Sequence, residues 1–126
     1  LPRHLPGVIL VGIEGTKPDG TGVYRYRVVG EEEVRNRGHN PTGRLLEDGF
    51  YAESLESALA DYEAVRRSGR PFYAPVAFLD DKDRRILEDS VLLPFSEDGE
   101  TVSQILVYSE RRPYPDDPLR VSETRR

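Results

Sequence analysis

The sequence predicts a single α+β domain in which one sheet and a few helices enclose a small pocket. Three observations predict it. The segments run strand, strand, short helical middle, one long helix, then three strands. Glycines, prolines and acidic tetrads punctuate them. The long helix carries one apolar stripe, the pattern of a helix laid on a sheet. At 126 residues the chain has the length of one domain.

Residues 1–7 hold two prolines and read as an extended lead-in. Val8-Ile9-Leu10-Val11 begins a short buried strand that continues to Glu14. Pro18-Asp19-Gly20 is strong turn chemistry. In residues 23–29, Tyr24, Tyr26 and Val28 alternate with Arg25 and Arg27, so one face is packed and the other wet. These two strands read as a hairpin. Residues 31–37 can form one or two helical turns with Val34 inward, ended by Gly38. Asn40-Pro41-Thr42-Gly43 is a turn, and Leu45 and Leu46 follow as anchors. This glycine-punctuated middle is the expected mobile part of the domain.

Residues 54–67 place Leu55, Ala58, Leu59, Tyr62 and Val65 on one helical stripe. Acids weight the start and Arg66 and Arg67 the end, as the helix dipole favours. Gly69 stops the helix and Pro71 prevents its continuation. Residues 72–79 read as a strand, with Pro71 and Pro75 placing it at a sheet edge or bulge. Residues 86–95 and 102–108 are strands joined by the turn Ser96-Glu97-Asp98-Gly99. The stretch 86–95 has two readings. Either its first half is exposed and only residues 91–95 are buried, or Glu88 or Ser90 supplies a polar group at the mouth of an apolar pocket. From Glu110 onward, prolines and charges without apolar periodicity read as a tail. The expected organisation is lead-in 1–7, domain 8–109 and tail 110–126.

Hydrophobic content is 37% and charged content 33%, with a net charge of -5 and a pI of about 5.1. An acidic surface repels phosphate backbones, so a nucleic-acid partner is not expected. No apolar run approaches the ~18 residues of a membrane span, so no membrane partner is expected. No signal peptide is visible and cysteine is absent, which points to the cytoplasm. Methionine is also absent, position 1 included, so the chain is expected to be a fragment.

Without cysteine there are no disulfides, thiolate metal sites, thiol nucleophiles or covalent cysteinyl flavin adducts. Asp80, Asp81 and Asp83, like Glu97, Asp98 and Glu100, lack calcium-loop spacing and read as solvated turns. The glycines of residues 12–22 with Lys17 lack phosphate-loop spacing. His4 lies in the lead-in, and His39 lies in a glycine-bounded loop. A haem site would want a histidine on the long helix, which has none. No nucleophile elbow appears. An acid–base pair of Glu88 or Asp89 with a tyrosine is the remaining enzymatic alternative. The aromatics read as core, and in so small a domain core and pocket share walls.

Tyr24-Arg25-Tyr26-Arg27-Val28-Val29-Gly30 follows Leu5-Pro6 and the first strand. Arg37-Gly38, Thr42-Gly43-Arg44, Gly69-Arg70-Pro71, the run from Leu92 to Gly99 and the strand from Val102 come next in order. In that order and spacing, residues 5–108 resemble a PAS domain, and more closely a bacterial subfamily of short stand-alone PAS proteins. The resemblance implies a five-stranded antiparallel sheet whose concave face is covered by the helices. It implies a sensory or regulatory role in signal transduction, often with dimerisation, and the chain is not expected to be an enzyme. It carries no catalytic or ligand-contact motif. The chain departs from the subfamily in its lead-in and tail.

The expectation is therefore a sensor that binds a small amphipathic metabolite, a protein partner or a second copy. A ligand-free docking adaptor is the alternative, using the sheet's outer face or the tail. Pocket candidates are Tyr26, Val28, Val34, His39, Phe50, Leu59, Tyr62, Phe72, Val76, Phe78, Ser90, Leu92 and Ile105. No cofactor and no metal are expected.

Overall fold

The computed structural model describes residues 7–49, 55–79, 82 and 84–113, and only the backbone of residues 36, 37, 76–79, 86 and 111–113. The elements are β1 (Val8–Thr16), β2 (Gly22–Val29), α1 (Glu31–Arg37), α2 (Leu46–Gly49), α3 (Leu55–Ser68), β3 (Phe72–Leu79), β4 (Arg85–Ser96) and β5 (Val102–Pro113). The strands form one five-stranded sheet in the order β2-β1-β5-β4-β3, every neighbouring pair antiparallel. The first strand thus lies beside the last, at the centre. No helix among the described residues is long and apolar enough to cross a membrane.

Local chemistry accounts for the boundaries. Gly69 takes φ 69°, and its N–H donates to the Val65 carbonyl at 2.9 Å, closing α3. Pro75 falls in β3, which lies at the sheet edge as its prolines predict. The other edge, β2, is partly covered. The Tyr26 N–H donates to the Arg44 carbonyl at 3.0 Å, and the Gly43 N–H donates to the Tyr26 carbonyl at 2.8 Å. In the β4–β5 turn, the Asp98 carboxylate accepts the N–H groups of Glu100 and Thr101 at 2.8 and 2.7 Å. Its oxygens serve the turn, as a solvated tip requires.

Four features differ from the sequence reading. First, β5 runs to Pro113, so residues 110–113 of the expected tail belong to the sheet. Pairing of Ile86 with Pro113 and of Glu88 with Arg111 is a backbone property and needs no apolar alternation. Second, a bulge shifts the β1–β2 register between Leu10 and Val11, leaving Arg27 as the extra residue. Val28 is therefore opposite Leu10 on the outer face and 51% exposed, away from Tyr24 and Tyr26. Third, Glu33 is the buried residue of α1, while Val34 is only half-buried. Fourth, burial in β4 follows the even-numbered residues: Ser90 and Leu92 are buried, whereas Phe95 is 48% exposed.

The concave face carries the core. Val11, Val65 and Ile105 are fully enclosed, and Tyr24, Tyr26, Leu46 and Leu92 nearly so. The helix α3 packs on β3, β4 and β5, and α2 packs on β2. The outer face carries two cross-strand rows set by register. One is Val28, Leu10, Leu106 and Leu93, and the other is Val8, Tyr108, Val91 and Tyr73.

Candidate functional site

The concave face has two unlike halves. Beneath α2 and the end of α3 it is filled by the chain's own rings. The Tyr24 and Tyr62 ring centroids lie 5.3 Å apart with a 43° tilt. A Cβ added at Gly49 would lie 2.6 Å from the Pro41 Cβ and 3.1 Å from the Tyr26 ring, so only glycine lets α2 sit this close. An ion cluster seals this half against the β1–β2 turn. Glu63 accepts from the Tyr24 hydroxyl, from the Gly22 N–H at 2.6 Å and from Arg66 Nε and Nη2 at 3.1 and 2.8 Å. Arg66 also donates to the Gly20 carbonyl at 2.9 Å.

The Arg66 guanidinium, with the Tyr24 and Gly22 donors, holds the Glu63 carboxyl well below the usual carboxylate range. Burial, reinforced by Glu63, pushes the Tyr24 phenol upward. Tyr24 therefore stays a neutral donor to a carboxylate. The sequence reading named neither partner as a site residue. Its available signal was Glu63 and Arg66 three residues apart on the helix that also carries Tyr62.

The second half lies over β3, β4 and β5. Ala74, Ser90 and Ser109 stand directly opposite one another and form a row of short side chains. They are 7%, 8% and 9% exposed. The next row is apolar, with Leu92 opposite Val107 and Val107 opposite Ile9. The short row therefore lies directly beside an apolar one. The hydroxyls of Ser90 and Ser109 are 2.8 Å apart, and either can be the donor. Two hydroxyls carry two protons, and their shared bond uses one. Among the described residues no other hydrogen bond is made by either side chain, so the second proton meets no acceptor among them.

The candidates from sequence separate accordingly. Tyr26, Tyr62, Leu92 and Ile105 line the concave face, Leu59 packs against it, and Ser90 supplies its polar group. Val28 lies on the outer face. His39 is exposed in its loop. Phe72 is 37% exposed at the first position of an edge strand. Phe50 and the side chains of Val76 and Phe78 lie outside the described residues, as do Asp80, Asp81 and Asp83. Of the enzymatic alternative, Asp89 accepts from the Tyr73 hydroxyl at 2.6 Å on the outer face, away from the serine pair. The described residues contain no group of acids and histidines able to hold a metal ion.

No family model and no curated protein match the chain. Solved structures do. The light-state structure of the blue-light photoreceptor Aureochrome1 LOV matches with a TM-score of 0.60 at 9% identity, over 97% of this chain and 93% of that one. The Rhodobacter sphaeroides LOV protein matches with a TM-score of 0.55 at 15% identity, over 83% of this chain; the match spans 59% of that longer protein. A light-oxygen-voltage domain studied with a flavin analogue matches with a TM-score of 0.55 at 9% identity, over 93% of this chain and 84% of that one. The chain has the fold of these LOV domains.

This similarity corrects the expectation of no cofactor. That expectation rested on the missing cysteine and the missing histidine on the long helix. A structure of the same fold is described with a flavin analogue. A flavin held by hydrogen bonds and apolar contact needs no cysteine, so the composition excludes only the covalent adduct.

Proposed function

We propose that the chain is a PAS-type sensory or regulatory module that holds a small ligand noncovalently over β4 and β5. The observation that carries this reading is the buried Ser90–Ser109 hydroxyl pair beside the apolar row of Leu92 and Val107, with its second proton unmatched by any acceptor among the described residues. A buried donor without a partner costs about 1–3 kcal/mol. A ligand oxygen or ring nitrogen accepting that proton recovers the cost. Leu59, Leu92 and Val107 supply the apolar surface for the rest of the molecule.

That donor set suits a flat heteroaromatic bearing carbonyls, and a flavin fits it. Ser90 and Ser109 would hold its polar edge, and the neighbouring aliphatic groups its ring. A flavin bound there would supply visible-light absorption and redox chemistry. The hydroxyl pair orients the ligand and ties it to the two strands at the sheet's β3 side. Because side chains alternate, Tyr108 and Val91, next to these serines, face the opposite side of the sheet. A ligand that biases the β4–β5 geometry therefore biases the outer surface, where a partner or a second copy docks. The shift is limited to the ligand's differential affinity for the two arrangements, typically ~1–3 kcal/mol. A regulatory rather than enzymatic role, and the bacterial, cytoplasmic setting read from the sequence, belong to this proposal.

The test is mass spectrometry of the purified chain, native and then denatured, with an absorption spectrum, repeated on Ser90→Ala/Ser109→Ala and after adding free flavin. The expected result is a small molecule retained by the parent chain and lost by a folded double variant. A parent chain that is empty and takes up no flavin refutes the ligand reading. The second reading is a ligand-free docking module. The ring-filled half of the concave face and the apolar rows on the outer face favour it, and an empty, self-associating protein would establish it.

A further inference from the structure

One buried ionisable group has no part in the serine site described above. Glu33, the inward residue of α1, is only 6% exposed. Burying a carboxylate is costly unless hydrogen bonds or charge meet it. The backbone places Glu33 at the serine end of the sheet. The Ser109 N–H donates to the Gly7 carbonyl at 3.0 Å, so Gly7 continues β1 into the row of Ser109, Ser90 and Ala74. The helix α1 opens beside it: the N–H of Gly30, the N-cap, donates to the Val8 carbonyl at 2.8 Å. A Cβ added at Gly7 would lie 3.8 Å from Glu32 Oε1, so the first turn of α1 lies against the end of this row. Glu33 is the next residue, about 100° further round the helix and turned into the interior. It already interacts within the protein, and a carboxylate offers about four acceptor positions, so it retains capacity for further donors.

We propose that Glu33 selects the ligand held by Ser90 and Ser109, favouring a flat ring whose edge carries adjacent N–H donors, the 2-amino-4-oxopyrimidine edge of a pterin or of guanine. This selection rests on the ligand reading above and adds the class of ligand. The two polar elements call for opposite groups. The serine pair has a proton to give, so it calls for a ligand acceptor. A carboxylate has only lone pairs, so it calls for ligand donors. An amino-oxo edge has a carbonyl for the first. Next to it stand a ring N–H and an amino N–H for the second. Two parallel N–H groups meet a carboxylate as a bidentate pair, as a guanidinium does. An imide edge, as in a flavin, has one N–H between two carbonyl oxygens. Against a carboxylate, one of those oxygens faces an oxygen, and the repulsion opposes binding. A flavin thus satisfies the serines but not Glu33, and binds more weakly than an amino-oxo ring.

The test is a fluorescence titration of the full chain with pterin, lumazine and riboflavin. Lumazine has the bicyclic ring of pterin but an imide edge, so the pair isolates the edge from the shape. The parent chain should bind pterin about tenfold more tightly than lumazine. Glu33→Gln turns one acceptor into a donor, which matches the imide, and should abolish or reverse that preference. Glu33→Asp keeps the carboxylate and should keep the preference. Ser90→Ala/Ser109→Ala should weaken both pteridines alike and leave their ratio unchanged. Circular dichroism checks folding, and a fold defect would weaken both pteridines together rather than reverse their order. Should Glu33→Gln not fold, the parent's ratio and Glu33→Asp decide. Equal affinity of the parent for pterin and lumazine overturns the selection by Glu33, as does a preference that Glu33→Gln leaves intact. Binding of riboflavin without either pteridine also overturns it and leaves the ligand reading standing. A parent chain that binds none of the three overturns both.

Discussion

At the scale of residues, the Tyr24–Glu63–Arg66 cluster fixes the β1–β2 turn to α3. Glu63 is a carboxylate with its folded pKa depressed by Arg66 and two further donors. The stabilisation it contributes is present above its unfolded pKa of about 4.3 and is lost as pH falls toward the folded value. Glu63→Gln should therefore cost about 1–3 kcal/mol at neutral pH, and that difference should shrink below about pH 4, as read by urea titrations across pH. Tyr24→Phe should cost less, about 1 kcal/mol, because the packed ring remains and one hydroxyl bond is lost. The pairing of Tyr24 with Glu63 was not legible in the chain. Glu63 and Tyr24 are separated by 39 positions, and nothing in composition or spacing brings them together. Ser90 was legible in part. A polar residue inside an apolar strand marks an exposed or a pocket position, and only register with Ser109 decides between them.

At the scale of elements, α3 and β3 follow from their own residues. The stripe ending in Tyr62 and Val65, the stop at Gly69 and the prolines of an edge strand are local instructions. The helix α2 is different. Its four residues have no independent stability and are held by contact with β2. Gly49→Ala should destabilise the domain by about 1–3 kcal/mol, since the added carbon meets proline and tyrosine carbons rather than a flexible chain end. Thermal unfolding measures it, and an unchanged midpoint would show that α2 moves freely off Tyr26. Strand β2 shows where alternation misleads. Tyr24, Tyr26 and Val28 have the right period, but the bulge at Arg27 turns Val28 outward. A bulge is an agreement between two strands, and one strand's sequence does not encode it.

For the whole molecule, the central event is the pairing of β1 with β5, from Val8 with Tyr108 to Gly12 with Gln104. The sheet closes only when the ends of the chain meet, so contacts distant in sequence dominate. Such topologies refold in about milliseconds to seconds, as one cooperative unit at this size. Stopped-flow refolding should show that regime, and Ile105→Val, fully enclosed beside Val11, should cost about 0.5–1.5 kcal/mol. Microsecond refolding would mean that local hairpins, not the β1–β5 closure, limit the rate. The chain by itself determined the order of elements, their caps and turns, the edge position of β3, the acidic surface and the absence of thiol chemistry. All of these are local or compositional, and local propensity and burial preference act on each residue where it stands. Only the tertiary structure decided the strand order, the outward turn of Val28, the Glu63 cluster and the serine pair. Each of those depends on register between segments far apart in sequence, and register is set by the packing of the whole sheet rather than by any one strand.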